Sequence, residues 1–248
     1  MKTLAIFLAL LSGAVMFNGD SVADRKTVFD GAWEVVTMNG EALGHRGVFM
    51  VEAPYAFYTE FNVEEKRFVG SLGGSIEVMA NHIQFTTEFN TWLPDEIGKS
   101  YEMLGKLNTN RVTFTWVVGE EGEQVEMVAT RIDDGISDLA GSWRITDRMR
   151  NGEMQAMRQG PRKTIKMITG TRFQWAAFNP ETKQFSGTGG GTAEVRDGKY
   201  IEHIEFFSRN ADRVGASLSF DYKVDGDKWD HSGKSSSGNP IREIWTRQ

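Results

Sequence analysis

The chain has 248 residues, no cysteine and a formal net charge of −6, which excludes a disulfide scaffold, a thiolate nucleophile and any Cys-ligated metal site. That acidic balance, without a dense Lys/Arg cluster, argues against nucleic acid as a partner, because binding to a phosphate backbone depends on neutralising cations. Glycine is abundant (27) and proline scarce (5), and Trp, Phe and β-branched residues fall in short alternating runs divided by turn signals, a pattern that reads as all-β.

At the N-terminus Lys2 precedes an apolar run over residues 4–17 broken only by Ser12 and Gly13. The run is too short to span a bilayer and has the layout of an export signal. Ser21 and Ala23 stand three and one positions before Asp24, the spacing of a signal-peptidase site, so residues 1–23 are expected to be removed and the product delivered to periplasm or medium. No second long apolar run follows, so no integral membrane segment is expected after removal.

The rest of the chain repeats itself. Gly31-Ala32-Trp33 recurs as Gly141-Ser142-Trp143 at an offset of 110. Phe61, Phe68, Gly70, Gly73, Gly74, Glu77, Val78, Glu88 and Phe89 then match Phe178, Phe185, Gly187, Gly190, Gly191, Glu194, Val195, Glu205 and Phe206 without a gap at an offset of 117. Thr130-Arg131 near the end of the first unit answers Thr246-Arg247 in the second. Residues 24–132 and 141–248 are therefore two repeats joined by an Asp/Gly-rich linker at 133–140. A unit of this length built only of short strands removes its exposed edges by closing into an antiparallel barrel, and two tandem antiparallel β-barrels are expected.

A Gly-x-Trp that opens a first strand, with a late Arg packed on that Trp, resembles the lipocalin-like (calycin) folds. In the second repeat residues 166–175, 187–195, 200–206, 229–233 and 243–247 together resemble a secreted bacterial lipocalin-like family, over residues 139–248. The first repeat departs from it at nearly every polar position, so only the architecture carries over. The resemblance implies a barrel with a tendency to hold a ligand, and no particular chemistry. Trp33 and Trp143 are expected to pack against Arg131 and Arg247.

Turn signals fix the faces of the later strands. Asp197-Gly198 marks a two-residue hairpin that sets Val195 opposite Tyr200, Ala193 opposite Glu202 and Gly191 opposite Ile204. The sister strand has Ile83, Phe85, Thr87 and Phe89 in alternation with polar residues, so the aligned Tyr200, Glu202, Ile204 and Phe206 are expected to point inward. His203 and Glu205 are then surface residues. A second signal at Asp225-Gly226 pairs Val224 with Asp227, Tyr222 with Trp229 and Phe220 with His231, which turns Trp229 and His231 inward as well. On the last strand Glu243, Trp245 and Arg247 share a face, and Glu243 is placed inward. The glycines of residues 187–191 lack the Lys and following helix of a phosphate loop and read as a strand bend or bulge.

Tyr200, Glu202 and Glu243 stand where the first repeat has Ile83, Phe85 and Met127, and a buried carboxylate requires water, a donor or a ligand. Trp175, Tyr200, Glu202, Trp229, His231 and Glu243 are accordingly the candidate ligand-binding residues, the ligand being a small, partly apolar molecule held in the second barrel. Three readings stay open. Glu202 fixes a ligand; or Glu202 with Glu243 or His231 forms an acid/base pair for isomerisation or glycoside-type chemistry; or the cluster is a buried structural network in a non-catalytic envelope interaction module. The histidines His45, His82, His203 and His231 show no metal-ligand spacing. Asp230-His231-Ser232 cannot converge as a triad, since neighbouring strand residues face opposite ways. No metal and no cofactor are expected.

Overall fold

The computed structural model describes residues 26–119 and 121–248; the expected export signal lies outside them. Strands β1 (Gly31–Met38), β2 (Glu41–Glu52), β3 (Tyr55–Asn62), β4 (Arg67–Met79), β5 (His82–Asn90), β6 (Ser100–Asn108), β7 (Arg111–Val118) and β8 (Glu123–Asp133) form a closed antiparallel barrel, β8 pairing back onto β1. The chain then crosses to β9 (Gly141–Arg150), β10 (Glu153–Ala156), β11 (Lys163–Ile168), β12 (Arg172–Asn179), β13 (Gln184–Arg196), β14 (Lys199–Phe207), β15 (Ser217–Asp225), β16 (Lys228–Lys234) and β17 (Pro240–Arg247). In this second unit β17 closes onto β9, and β10 is a short flap paired only with β9. Two closed eight-stranded antiparallel barrels in tandem are consistent with a calycin-like fold.

The Gly-x-Trp motifs open β1 and β9 and seal one end of each barrel. Trp33 donates its indole N–H to the Phe29 carbonyl (2.8 Å) while the Arg131 guanidinium lies 3.9 Å from its ring centre. Trp143 repeats this with the Leu139 carbonyl (2.8 Å) and Arg247 (4.1 Å). Each arginine also donates to chain leading into the first strand, Arg131 to the Val28 and Asp30 carbonyls and Arg247 to that of Ala140. Burying an indole with its N–H satisfied and a cation on its face stabilises without leaving a polar orphan.

The barrels dock side by side, and the docking decides which strands alternate. Val48-Phe49-Met50-Val51 and Ile165-Lys166-Met167-Ile168 are buried without interruption because one set of side chains faces a barrel interior and the other faces the junction. The free walls β6, β7, β15 and β16 keep a period-two pattern. The junction is aromatic, with Phe61 against Phe206 at 4.8 Å and Phe89 against Phe178 at 4.9 Å between ring centres. Gln174 bridges its polar part by accepting from Thr59 (2.8 Å) and donating to Ser71 and Thr188 (3.1 Å each).

Three expectations are corrected here. Phe89 and Phe206 point into the junction and not into the barrels. A β-bulge leaves Glu88 and Glu205 as extra residues on β5 and β14, which reverses the alternation beyond them. Gly74 and Gly191 permit the bulge, since a Cβ at either would collide with the carbonyl of Thr86 or His203. For the same reason Glu205 is no ordinary surface residue. It pairs with Arg172, and with Arg46 of the first barrel at 3.3 Å. His203 is half-exposed as expected, bonded to Ser217 at 2.7 Å. Finally, the β15–β16 turn is Gly226-Asp227, with Asp225 opposite Lys228, Val224 opposite Trp229 and Tyr222 opposite His231. Gly226, at φ +59°, takes the first central place of the turn as in type II′. The register thereby slips by two, which preserves the faces and leaves Trp229 and His231 inside.

Candidate functional site

The second barrel is entered by a cavity of about 510 Å³. Of the six candidate residues, Trp175, Glu202, His231 and Glu243 line it, while Tyr200 and Trp229 lie fully buried and do not reach its wall. The strands place these side chains by simple alternation: β12 supplies Phe173 and Trp175, β14 supplies Glu202 and Ile204, β15 Phe220, β16 His231, and β17 Glu243 and Trp245. Gly189 leaves room for this arrangement, because a Cβ there would lie 2.9 Å from the Trp175 indole nitrogen and 2.8 Å from the Phe207 ring.

Lys166 on β11 is the residue that sequence reasoning missed as part of the site. It is 5 % exposed, as is Glu202, and its ammonium donates to the Glu202 carboxylate at 2.7 Å. The faces of Tyr200, Trp229 and Trp245 surround it at 5.4, 5.4 and 5.2 Å. A buried cation inside an aromatic cage and bonded to a carboxylate is compensated on every side. The signal was in the repeat: at the same offset of 117 Lys166 stands where the first barrel has the inward Phe49.

Glu243 is held in a second network. Its carboxylate accepts from Arg148 at 2.6 Å and from the Trp245 indole at 3.1 Å, with the His231 ring 3.7 Å away. Burial by itself would raise this carboxyl, but His231, Arg148 and Lys166 overcome burial and bring it down to about 2. His231 is 1 % exposed, packed on Phe220 with ring centres 4.2 Å apart, and neither ring nitrogen has a hydrogen-bond partner among the described residues. Burial, helped by the nearby Lys166 charge, pushes its imidazole below the usual value, against the opposing pull of Glu243 and Glu202. The imidazole is therefore neutral at neutral pH and offers one donor and one acceptor. Beneath the cavity the Tyr200 hydroxyl and the Trp229 indole N–H are likewise unpartnered, and burial beside Glu202 keeps the Tyr200 phenol protonated.

The corresponding end of the first barrel is filled. Tyr58 and Glu60 occupy the places of Trp175 and Ala177; the Tyr58 hydroxyl donates to Glu60 at 2.5 Å, and His45 meets the other Glu60 oxygen at 2.5 Å. Trp92 lies over Tyr58 with ring centres 5.9 Å apart, where the second barrel has Arg209. Inside, Phe49, Ile83, Phe85, Phe114 and Met127 pack where the second barrel has Lys166, Tyr200, Glu202, His231 and Glu243. A broader depression of about 690 Å³ does lie along β6 and β7 of this barrel, lined by Tyr101 and Trp116 among others, but it touches none of the barrel's buried residues.

Among the described residues no group of three or more His, Asp or Glu side chains is placed to hold a metal ion, and no helix is long and apolar enough to cross a membrane. The combination is that of two β-barrels, the first with a packed apolar interior and the second entered by a polar-lined cavity. No known protein-family model matches the chain, and no curated protein matches it.

Proposed function

We propose that this is an exported, lipocalin-like binding protein whose second barrel holds a small, partly apolar molecule, with the first barrel as a stabilising partner. One observation carries the reading: the two barrels share a scaffold, yet where the first has a packed apolar cluster the second is entered by a cavity that combines aromatic walls with a few fixed polar groups, the usual make-up of a small-molecule site. Trp175, Phe207 and Phe220 offer apolar area, His231 offers an unspent donor and acceptor, and Glu202 and Glu243 fix orientation. Tyr200 and Trp229 support the floor from behind. Export rests on the N-terminal signal pattern.

A catalytic reading has one feature in its favour, a neutral His231 facing the cavity with Glu243 at 3.7 Å, the arrangement of an oriented general base. Binding is preferred because both carboxylates are already engaged by cations, Glu202 by Lys166 and Glu243 by Arg148, and Glu243, held near a pKa of about 2, cannot serve as an acid at neutral pH. The test is to screen wild type and Glu202→Gln side by side against envelope lipids, small aromatics and oligosaccharides. For a binding module the variant stays folded at reduced stability, since Lys166 loses its charged partner, and loses affinity partially, because the amide retains hydrogen-bonding capacity. Turnover in the wild type that falls about 10²- to 10⁴-fold in the variant, with binding intact, would instead establish the enzyme.

A further inference from the structure

The opening of the second barrel carries charge that its network does not consume. Three arginines line the cavity: Arg148, Arg162 and Arg209. Arg148 is paired with Glu243, and the other buried cation, Lys166, is paired with Glu202, so the interior itself is balanced. Among the described residues no carboxylate lies within salt-bridge distance of Arg162 or Arg209. Arg162 is exposed at the rim, and Arg209 donates to the Ser186 carbonyl at 2.5 Å with its guanidinium 5.8 Å from the Trp175 ring centre. Two uncompensated positive charges thus stand at the mouth of the cavity, in a chain whose net charge is −6.

The first barrel supplies an internal control. At the matching places it has His45 and Trp92, with Glu60 where the second barrel has Ala177. The filled barrel therefore has a carboxylate at its mouth and no arginine at these two places, whereas the hollow one has two arginines and no carboxylate there. Both differences run in the same direction. A guanidinium presents a planar fork of donors suited to carboxylate or phosphate oxygens, and it strengthens such a contact when part of the site is dry.

We infer that the ligand of the second barrel is an amphipathic organic anion, a carboxylate or a phosphomonoester, whose acid group sits between Arg162 and Arg209 while its apolar body enters past Trp175 toward His231. This rests on the reading of the second barrel as a binding site and adds the class of molecule. An anion seated head-outward also suits the interior, whose cations Lys166 and Arg148 are already paired with Glu202 and Glu243.

Two fluorophores that differ only by a sulfonate separate the two levels: neutral N-phenyl-1-naphthylamine and anionic 8-anilinonaphthalene-1-sulfonate, each titrated into the full chain. The expected result is binding of both, with the anion at least ~10-fold tighter at low salt and its advantage shrinking as ionic strength rises. In Arg162→Gln/Arg209→Gln the ratio of the two affinities should fall close to one. Dodecanoate and dodecyl phosphate should each displace the bound probe better than dodecanol, and the better of the two identifies the acid group. Equal affinity for the two fluorophores, equal displacement by dodecanol, or an unchanged ratio in the double variant would overturn this inference while leaving the binding site standing. Binding of neither fluorophore would remove the binding site, and the inference with it.

Discussion

The two barrels of this chain are the same scaffold with opposite interiors. At five matched inward positions the first has Phe49, Ile83, Phe85, Phe114 and Met127, and the second has Lys166, Tyr200, Glu202, His231 and Glu243. The strand pairings, sealing Trp–Arg contacts and bulge positions are nonetheless shared. A fold held by its ends, its ladders and its docked wall tolerates a polar interior in one copy, provided the charges arrive in pairs. Apolar side chains of the first barrel interdigitate and fill it, whereas the cations and carboxylates of the second must stand in fixed hydrogen-bonded positions that leave space beside them. The binding role proposed for the second barrel rests on this contrast.

The largest effect is expected from breaking a single charge pair. Lys166→Ala leaves the Glu202 carboxylate buried without its partner, and about 3–5 kcal/mol of stability should be lost in urea denaturation. Replacing both residues by their first-barrel counterparts, Lys166→Phe with Glu202→Phe, should recover most of that loss, since apolar residues of adequate volume replace buried ion pairs at little cost. A single variant within 1 kcal/mol of wild type, by the same urea measurement, would mean that the pair is not a structural necessity of the second interior.

Acid should separate the barrels next. His231 has a lowered pKa, so its contribution is complete above the unfolded value of 6.5 and declines as the pH falls below it, because the unfolded chain then takes up a proton that the folded one refuses. Glu243 is held at about 2 against an ordinary 4.5, and its contribution is present above 4.5 and lost as the pH drops from there toward 2. Each such group costs roughly 1.4 kcal/mol per pH unit within its window. Hydrogen exchange measured at pH 7 and pH 4 should therefore show protection falling more in β14, β16 and β17 than in β5, β7 and β8. Equal losses in the two barrels would contradict the assignment of the acid-sensitive groups to one interior.

A smaller effect of opposite sign is expected at the strand end where the first barrel has Glu52 and the second Thr169. Burial, reinforced by the Asp30 carboxylate and only partly offset by Lys26, raises the Glu52 carboxyl to about 9, and its buried Oε1 has no hydrogen-bond partner. The folded state keeps a proton that the unfolded chain releases above 4.5, so stability declines as the pH rises from 4.5 toward 9. Glu52→Gln should remove that slope and gain up to about 3 kcal/mol at pH 7. Thermal melts of the two proteins across this range should diverge with rising pH; parallel curves would place Glu52 in water.

Much of this was legible in the residues. The repeat fixed the number of barrels, the Gly-x-Trp and Thr-Arg pairs fixed their ends, and Asp197-Gly198 fixed a register that the structure reproduces pair for pair. Four of the six candidate side chains line the cavity because strand parity is robust: a two-residue slip at Gly226 changed every partner of β16 and no face. What the residues concealed was long-range. The bulges at Glu88 and Glu205 depend on glycines of the neighbouring strand, and the junction that receives Phe89 and Phe206 exists only once both barrels have formed. Lys166 escaped notice because it lies in an otherwise apolar run buried on both faces, where alternation, the usual guide to what points inward, cannot be seen.

The most direct test of the contrast is the number of N-phenyl-1-naphthylamine molecules bound per chain, in the wild type and in a variant whose second mouth is rebuilt as the first. That variant has Arg162→His, Trp175→Tyr, Ala177→Glu and Arg209→Trp, after His45, Tyr58, Glu60 and Trp92. One molecule per wild-type chain and none per variant chain is expected, with the two melting within a few degrees of one another. Two molecules per chain, or one that survives the rebuilt mouth unchanged, would contradict the assignment of the binding site to the second barrel.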